Sequence, residues 1–274
     1  MIDRIDLHTH STASDGTLSP SEVVRLAASL GISTLALTDH DTTDGVIEAQ
    51  QAGRESGLEV IAGIEINSED EHGDAHILGY WVDPAEPRLQ EQLEAIHDAR
   101  VGRARGMIKR LAAMGMPIEW ERVMAMAGDA SSIARPHIAR AMIEARYVAT
   151  TQEAFDRYIS NTGPAYVNRL RMTMSEAVGF IHGAGGVAVM AHPAESKLAH
   201  LIPPLVEAGL DGIEVYYPTH TPEQQAQLLE LAARYKLVVT GGSDFHTLDD
   251  PSHGQMGCVD VPPDTVEKLK VRRK

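Results

Sequence analysis

Nine side chains in this 274-residue chain are of types that hold divalent cations: His8, His10, Asp15, His40, Glu65, His76, His192, Asp244 and His246. Most of them fall at the ends of short apolar runs. Imidazole and carboxylate donors without a thiolate suit Mn²⁺, Fe²⁺ or Zn²⁺. His8 and His10 lie two residues apart, so on an extended strand both rings face one side. A single histidine at a strand end is more often packed or hydrogen-bonded than a ligand. Six histidines converging with three carboxylates are another matter, because burying them without cations leaves many polar groups unpaired. With Glu65 as a bridge, the nine would hold two or three ions and leave positions open for water and substrate. Three carboxylates against three divalent ions leave roughly +3, a field suited to a phosphate dianion rather than a neutral amide. The expected chemistry is phosphoester hydrolysis. The leaving oxygen needs a proton or a cation, from His246 or His192 or from a third ion.

The elements that must position these residues are legible as β-branched or apolar runs at Arg4–His8, Thr34–Thr38, Glu59–Ile64, Ala75–Tyr80, Val187–Ala191, Gly212–Tyr216 and Leu237–Gly241. Each reads as a buried strand. Between most of them stand helix-start signals, at Ser19–Glu22, Asp41–Asp44, Thr173–Glu176 and Thr221–Glu223. Strand and helix alternating predicts a parallel α/β protein, and in a closed barrel the strand ends share one mouth. Asp39 and Asp41 flank His40, with helix capping the expected job for Asp41. From about Pro87 to Met172 the rhythm breaks into an almost wholly helical stretch. It is read as an inserted lid or substrate-binding subdomain (87–172) in a barrel made of 1–86 and 173–274.

Composition narrows the field. A formal charge of −15 argues against coating long nucleic acid. From Asp98 to Arg171, however, twelve Arg and Lys face seven Asp and Glu, so this segment carries +5 and the remainder −20, a hint of a local anion site. No run approaches the length of a membrane span, and the N-terminus lacks a signal-peptide pattern, so a soluble, cytoplasmic protein is expected. The single cysteine, Cys258, excludes an internal disulfide and is expected to be buried. His97, His182, His200, His220 and His253 lie away from strand ends and read as ordinary surface or loop residues.

The motifs DLHTHSTASDG, LALTDHDT, AGIEI, AHILGY, VMAHP and GSDFH, in that order, resemble those of the PHP (polymerase and histidinol phosphatase) family, related to the amidohydrolases. The resemblance implies a distorted (β/α)7 barrel with a helical insertion. It also implies one metal site from His8, His10, Glu65 and Asp244, a second from Glu65, His76 and His192, and a third from Asp15, His40 and His246. Some members have histidine where this chain has Asp15. The insertion resembles that of a subgroup acting on nucleotides, and Mn²⁺ is the expected metal. One activity there removes the 3′-phosphate of 3′,5′-bisphosphonucleotides such as pAp, and another degrades short RNA from its 5′ end. Arg135, His137, Asn168, Arg169 and Arg171 are the candidate substrate contacts, so the expected partner is a small nucleotide or a short oligoribonucleotide. Hydrolysis of histidinol phosphate or another small phosphate, C–N bond hydrolysis, and a polymerase-associated binding module stay open as alternatives.

Overall fold

A computed structural model describes residues 4–70, 73–127, 133, 135–167, 172–248 and 254–273. The apolar runs form seven strands: β1 (Arg4–Thr9), β2 (Ile32–Leu37), β3 (Glu59–Asp70), β4 (Gly73–Tyr80), β5 (Val187–Met190), β6 (Gly212–Tyr216) and β7 (Val238–Gly241). They pair in chain order into one sheet. Beyond β7 the chain turns back to β1 through a parallel bridge from Thr9 to Phe245 and a bond from the His10 N–H to the Phe245 carbonyl. Leu7, Ala36, Ile61, Leu78, Val189 and Val238, from six different strands, share one buried cluster. This is the distorted barrel, with β1 and β7 packed about a common interior.

Two expectations need correction. The sheet is not wholly parallel, because β4 runs antiparallel to both β3 and β5. The reason lies in the connection: β3 ends at Asp70 and β4 begins at Gly73, far too short for the crossover a parallel neighbour requires. Nor does Glu65 close its strand. β3 pairs with β2 only as far as Ala62, then changes partner and runs on beside β4 from Gly63 to Asp70, leaving Glu65 in mid-strand.

The helices are α1 (Pro20–Ser29), α2 (Val46–Ser56), α3 (Pro87–Ala113), α4 (Trp120–Ala127), α5 (Arg135–Glu144), α6 (Thr151–Ala154), α7 (Met174–Gly183), α8 (Ile202–Glu207), α9 (Pro222–Tyr235) and α10 (Thr265–Lys270). A π-helical turn, Phe155–Ile159, continues α6. Ser19, Thr173 and Thr221 each cap a helix in a reciprocal capping box. Asp41 does not cap: α2 starts at Val46 without a side-chain cap, and Asp41 instead accepts the backbone and side-chain N–H groups of Asn67. No described helix is long and apolar enough to cross a membrane.

The chain divides into two compact units, 1–91 with 171–274, and 92–170. The helical unit has a core of its own, built on Met107, Leu111, Val123, Ile138, Met142 and Ile159. Cys258 is exposed, because Met256 takes the buried position and a turn through Gly257 (φ 70°) carries Cys258 outward. His220 is buried, its Nδ1 bonded to the Val215 carbonyl at 3.0 Å. His253 lies outside the described residues.

Candidate metal centre

Glu65, almost completely buried, is the hub of the site. Its Oε2 lies 3.3 Å from His8 Nε2, 3.2 Å from His10 Nε2 and 3.1 Å from His40 Nδ1. Its Oε1 lies 2.9 Å from His76 Nδ1 and 3.4 Å from His192 Nε2. Asp244 Oδ1 stands 3.2 and 3.1 Å from the Nε2 atoms of His8 and His10. Asp15 closes the far side, 3.3 Å from His246 Nε2 and 3.9 Å from His40 Nε2. All nine candidates therefore meet in one place. Three overlapping groups could each hold an ion: His8, His10, Glu65 and Asp244; His40, Glu65 and His76; and His10, Asp15, His40 and His246. His40 thus sits between two of them, presenting Nδ1 toward Glu65 and Nε2 toward Asp15.

The chemistry of these atoms fits cations. His8 Nε2, both ring nitrogens of His10, both oxygens of Glu65 and His76 Nδ1 are buried without a hydrogen-bond partner. A buried polar atom left unpaired costs about 1–3 kcal/mol. Six such atoms crowd this one pocket. Coordination of divalent ions satisfies them at once, and the site suits several such ions.

Backbone geometry aims the candidate side chains. His76, on antiparallel β4, lies near its strand's start, opposite Asn67, and its carbonyl accepts the Ala191 N–H beside His192. His192 (φ 29°) and Asp244 (φ 54°) both adopt left-handed backbone just past the ends of β5 and β7. Most L side chains adopt that conformation at some cost, aspartate and histidine more readily than others. Gly242 is obligatory: a Cβ there would stand 2.4 Å from the His8 Cβ. The loop carrying Asp15 is pinned by buried Asp39, which accepts the N–H and hydroxyl of Ser11 (2.7 and 2.8 Å) and the hydroxyl of Ser14 (2.7 Å). Asp41 fixes the Asn67 amide at 3.0 Å, and that amide nitrogen lies 3.2 Å from His40 Nδ1.

Burial and charge compete in this pocket. Burial pushes His10 toward its neutral form, but the Asp244 and Glu65 carboxylates outweigh it and raise its pKa to about 10. His8 is raised well above the usual range in the same way, burial being overcome by Asp244, Glu214 and Glu65. At His40 burial wins over Glu65 and Asp15, lowering the pKa to about 4 and leaving a neutral ring. Burial also raises the Tyr217 phenol, which stays protonated.

Two residues of the site were not among the candidates. Glu214, wholly buried on β6, lies 3.1 and 3.2 Å from His8 Nδ1 and accepts the His192 N–H at 3.0 Å. Tyr217 donates its hydroxyl to Asp244 Oδ2 at 2.9 Å. The signal for Glu214 was present, a lone acid inside the apolar run Gly212–Tyr216. Nothing comparable marked Tyr217. Both border on a cavity of about 360 Å³ or its ligands, with Asp15, His76, Glu195, Ser196 and Tyr217 in its wall.

In the helical unit, Arg135 gives one guanidinium nitrogen to the Ile159 carbonyl (3.3 Å) and Asn161 Oδ1 (2.8 Å) and stacks over Phe155. His137 is buried on α5. Arg103, Arg105 and Arg157 also lie over aromatic rings, which gives part of the local positive charge a packing role. Asn168, Arg169 and Arg171 lie outside the described residues.

Comparison with known proteins follows the same lines. The PHP domain pattern matches residues 6–162. A 3′,5′-nucleoside bisphosphate phosphatase from Chromobacterium violaceum is 36% identical over 264 residues, 94% of this chain and 93% of the relative. A phosphoribosyl 1,2-cyclic phosphate 1,2-diphosphodiesterase from Eggerthella lenta is 35% identical over 244 residues, 88% and 93% of the two chains. A 5′-3′ exoribonuclease from Salmonella typhimurium is 34% identical over 248 residues, 88% and 84% of the two chains. A solved structure from Bifidobacterium adolescentis, described as a metal-dependent phosphoesterase, matches with a TM-score of 0.86 at 34% identity, over 100% of this chain and 98% of that one.

Proposed function

The chain belongs to the PHP-domain family of metal-dependent phosphoesterases, and on that premise we propose that it removes the 3′-phosphate from 3′,5′-bisphosphonucleotides such as pAp, leaving AMP and inorganic phosphate. The observation that carries the reading is the ring of unpartnered buried nitrogens and oxygens about Glu65, supported by full-length similarity to a relative of that named activity. His8, His10, Glu65 and Asp244 would hold one ion, Glu65, His76 and His192 a second, and Asp15, His40 and His246 a third, with Mn²⁺ the proposed metal. Bound cations supply positive charge to phosphoryl oxygens and make water a competent nucleophile near neutral pH. The protein's own part is to fix the donors, bound a small cavity and provide imidazoles beside the leaving oxygen; His246 or His192, whichever ring holds no ion, is the proposed proton source, with a third ion as the alternative. Arg135, His137, Arg169 and Arg171 are the proposed contacts for the 5′-phosphate, and Asn168 is a further proposed substrate contact.

A second reading, exoribonuclease action on short 5′-phosphorylated RNA, is favoured by the Salmonella relative. Both reactions leave a 5′-nucleotide. One experiment separates them: phosphate and nucleotide release from pAp, short RNA, AMP, sugar phosphates and phosphoribosyl 1,2-cyclic phosphate, with metal analysis of the same sample. The expected result is fastest turnover of pAp, with metal content and activity lost together in His10→Ala and Asp244→Ala. Preference for a substrate other than pAp would replace the reading, and full activity in either variant would remove its basis.

A further inference from the structure

Of the seven strands, β6 contributes no candidate ligand, yet the residue at its centre, Glu214, is completely buried. Its carboxylate meets two groups from different strands. The His8 ring presents Nδ1 to both oxygens, at 3.1 and 3.2 Å, and the backbone N–H of His192 reaches Oε2 at 3.0 Å. We propose that Glu214 is a positioning residue that couples two cation positions by fixing the ring of His8 and the backbone of His192 with one carboxylate. The inference rests on the reading of the cluster as a metal centre.

The chemistry follows from donors and acceptors. A carboxylate only accepts, so the His8 nitrogen facing it carries the proton. Nε2 faces the Glu65 and Asp244 oxygens, 3.3 and 3.2 Å away, and is the nitrogen that would give up its proton and offer its lone pair to a cation held with them. An imidazole held this way is oriented and made a more basic ligand. At His192 the same carboxylate ties down a residue whose φ of 29° is poorly tolerated by an L side chain. That bond holds the bend which directs the imidazole to Glu65 Oε1, 3.4 Å away. The two rings lie nearly parallel with centroids 6.0 Å apart. Glutamine keeps the shape of Glu214, but even with its oxygen in the place of Oε2, within reach of both donors, it carries no net charge and turns an NH₂ in place of Oε1 toward the His8 Nδ1, 3.1 Å away.

The test uses full-length protein, wild type and Glu214→Gln, stripped of metal and titrated with Mn²⁺ against a chromophoric chelator, with stoichiometry from elemental analysis. Glu214→Gln is expected to bind about 10- to 100-fold more weakly, with two positions weakened together. Equal affinity in the two proteins, or weakening of a single position, overturns the coupling role. A wild type that takes up no Mn²⁺ overturns instead the metal-centre reading beneath it. Should the variant fail to fold, ¹⁵N-histidine NMR of Zn²⁺-loaded wild type decides, the His8 signals being identified by their absence in His8→Gln. The expected state is a protonated Nδ1 with metal-shifted Nε2, and a protonated Nε2 refutes the assignment.

Discussion

In the metal-free protein His10 keeps its proton up to about pH 10, because the carboxylates of Asp244 and Glu65 more than offset the penalty of burial. Its ordinary value is 6.5. A folded-state pKa raised above the unfolded one contributes stability that is complete below the unfolded value and disappears as pH climbs through the folded value. The melting temperature of stripped protein should therefore fall between pH 6.5 and about 10. Cations replace those protons as partners of the carboxylates, so loaded protein should show a much flatter profile over the same range. Thermal melts of both forms across that window check this, and parallel slopes would count against it. The imidazoles that titrate were identifiable from their type and spacing. The carboxylates that shift them come from positions 65, 214 and 244, and their nearness to His8 and His10 is a property of the folded chain alone.

At the level of strands, the site depends on close passage of the segment after β7 beside the end of β1. Asp244 N–H bonds the His8 carbonyl at 2.9 Å, and Gly242 slides past His8 with no room for a methyl group. Gly242→Ala should cost about 1–3 kcal/mol as an overpacking change. It should also lower metal content, because the strand carrying His8 must move to admit the new carbon. Melting and elemental analysis report the two effects separately, and normal metal loading in a destabilised variant would show that β1 had not shifted. Seven strand locations could be read from apolar runs, but direction could not be read for all of them. β4 is antiparallel because its link to β3 is too short to cross over. The same reversal puts His76, near the start of its strand, among ligands that mostly lie at or beyond the ends of theirs.

Across the molecule, the candidate ligands all belong to the unit formed by 1–91 and 171–274, while 92–170 has a separate apolar core. Ion removal should therefore be felt unevenly. Treatment with a chelator is expected to speed amide hydrogen exchange in β1, β3 and the segments around His192 and Asp244, where buried donors lose their partners. Amides in the helical core around Met107, Leu111 and Met142 should keep their protection. Uniform acceleration over both units would mean that the ions stabilise the whole chain rather than the barrel.

The chain by itself determined which side chains are candidate donors, the approximate strands, three of the four capping signals and the family resemblance, because each resides in a few consecutive residues whose chemistry is local. Tertiary structure alone decided that β4 is reversed, that β3 continues past Glu65, that Asp41 serves Asn67 rather than a helix end, and that Cys258 faces outward while His220 faces inward. It also decided that Glu214 and Tyr217 stand behind His8 and Asp244. The last of these depends on pairings like that of His8 with Glu214, 206 positions apart. No local pattern encodes a contact at that separation, since it exists only once the sheet has closed and brought β1 and β6 to the same core.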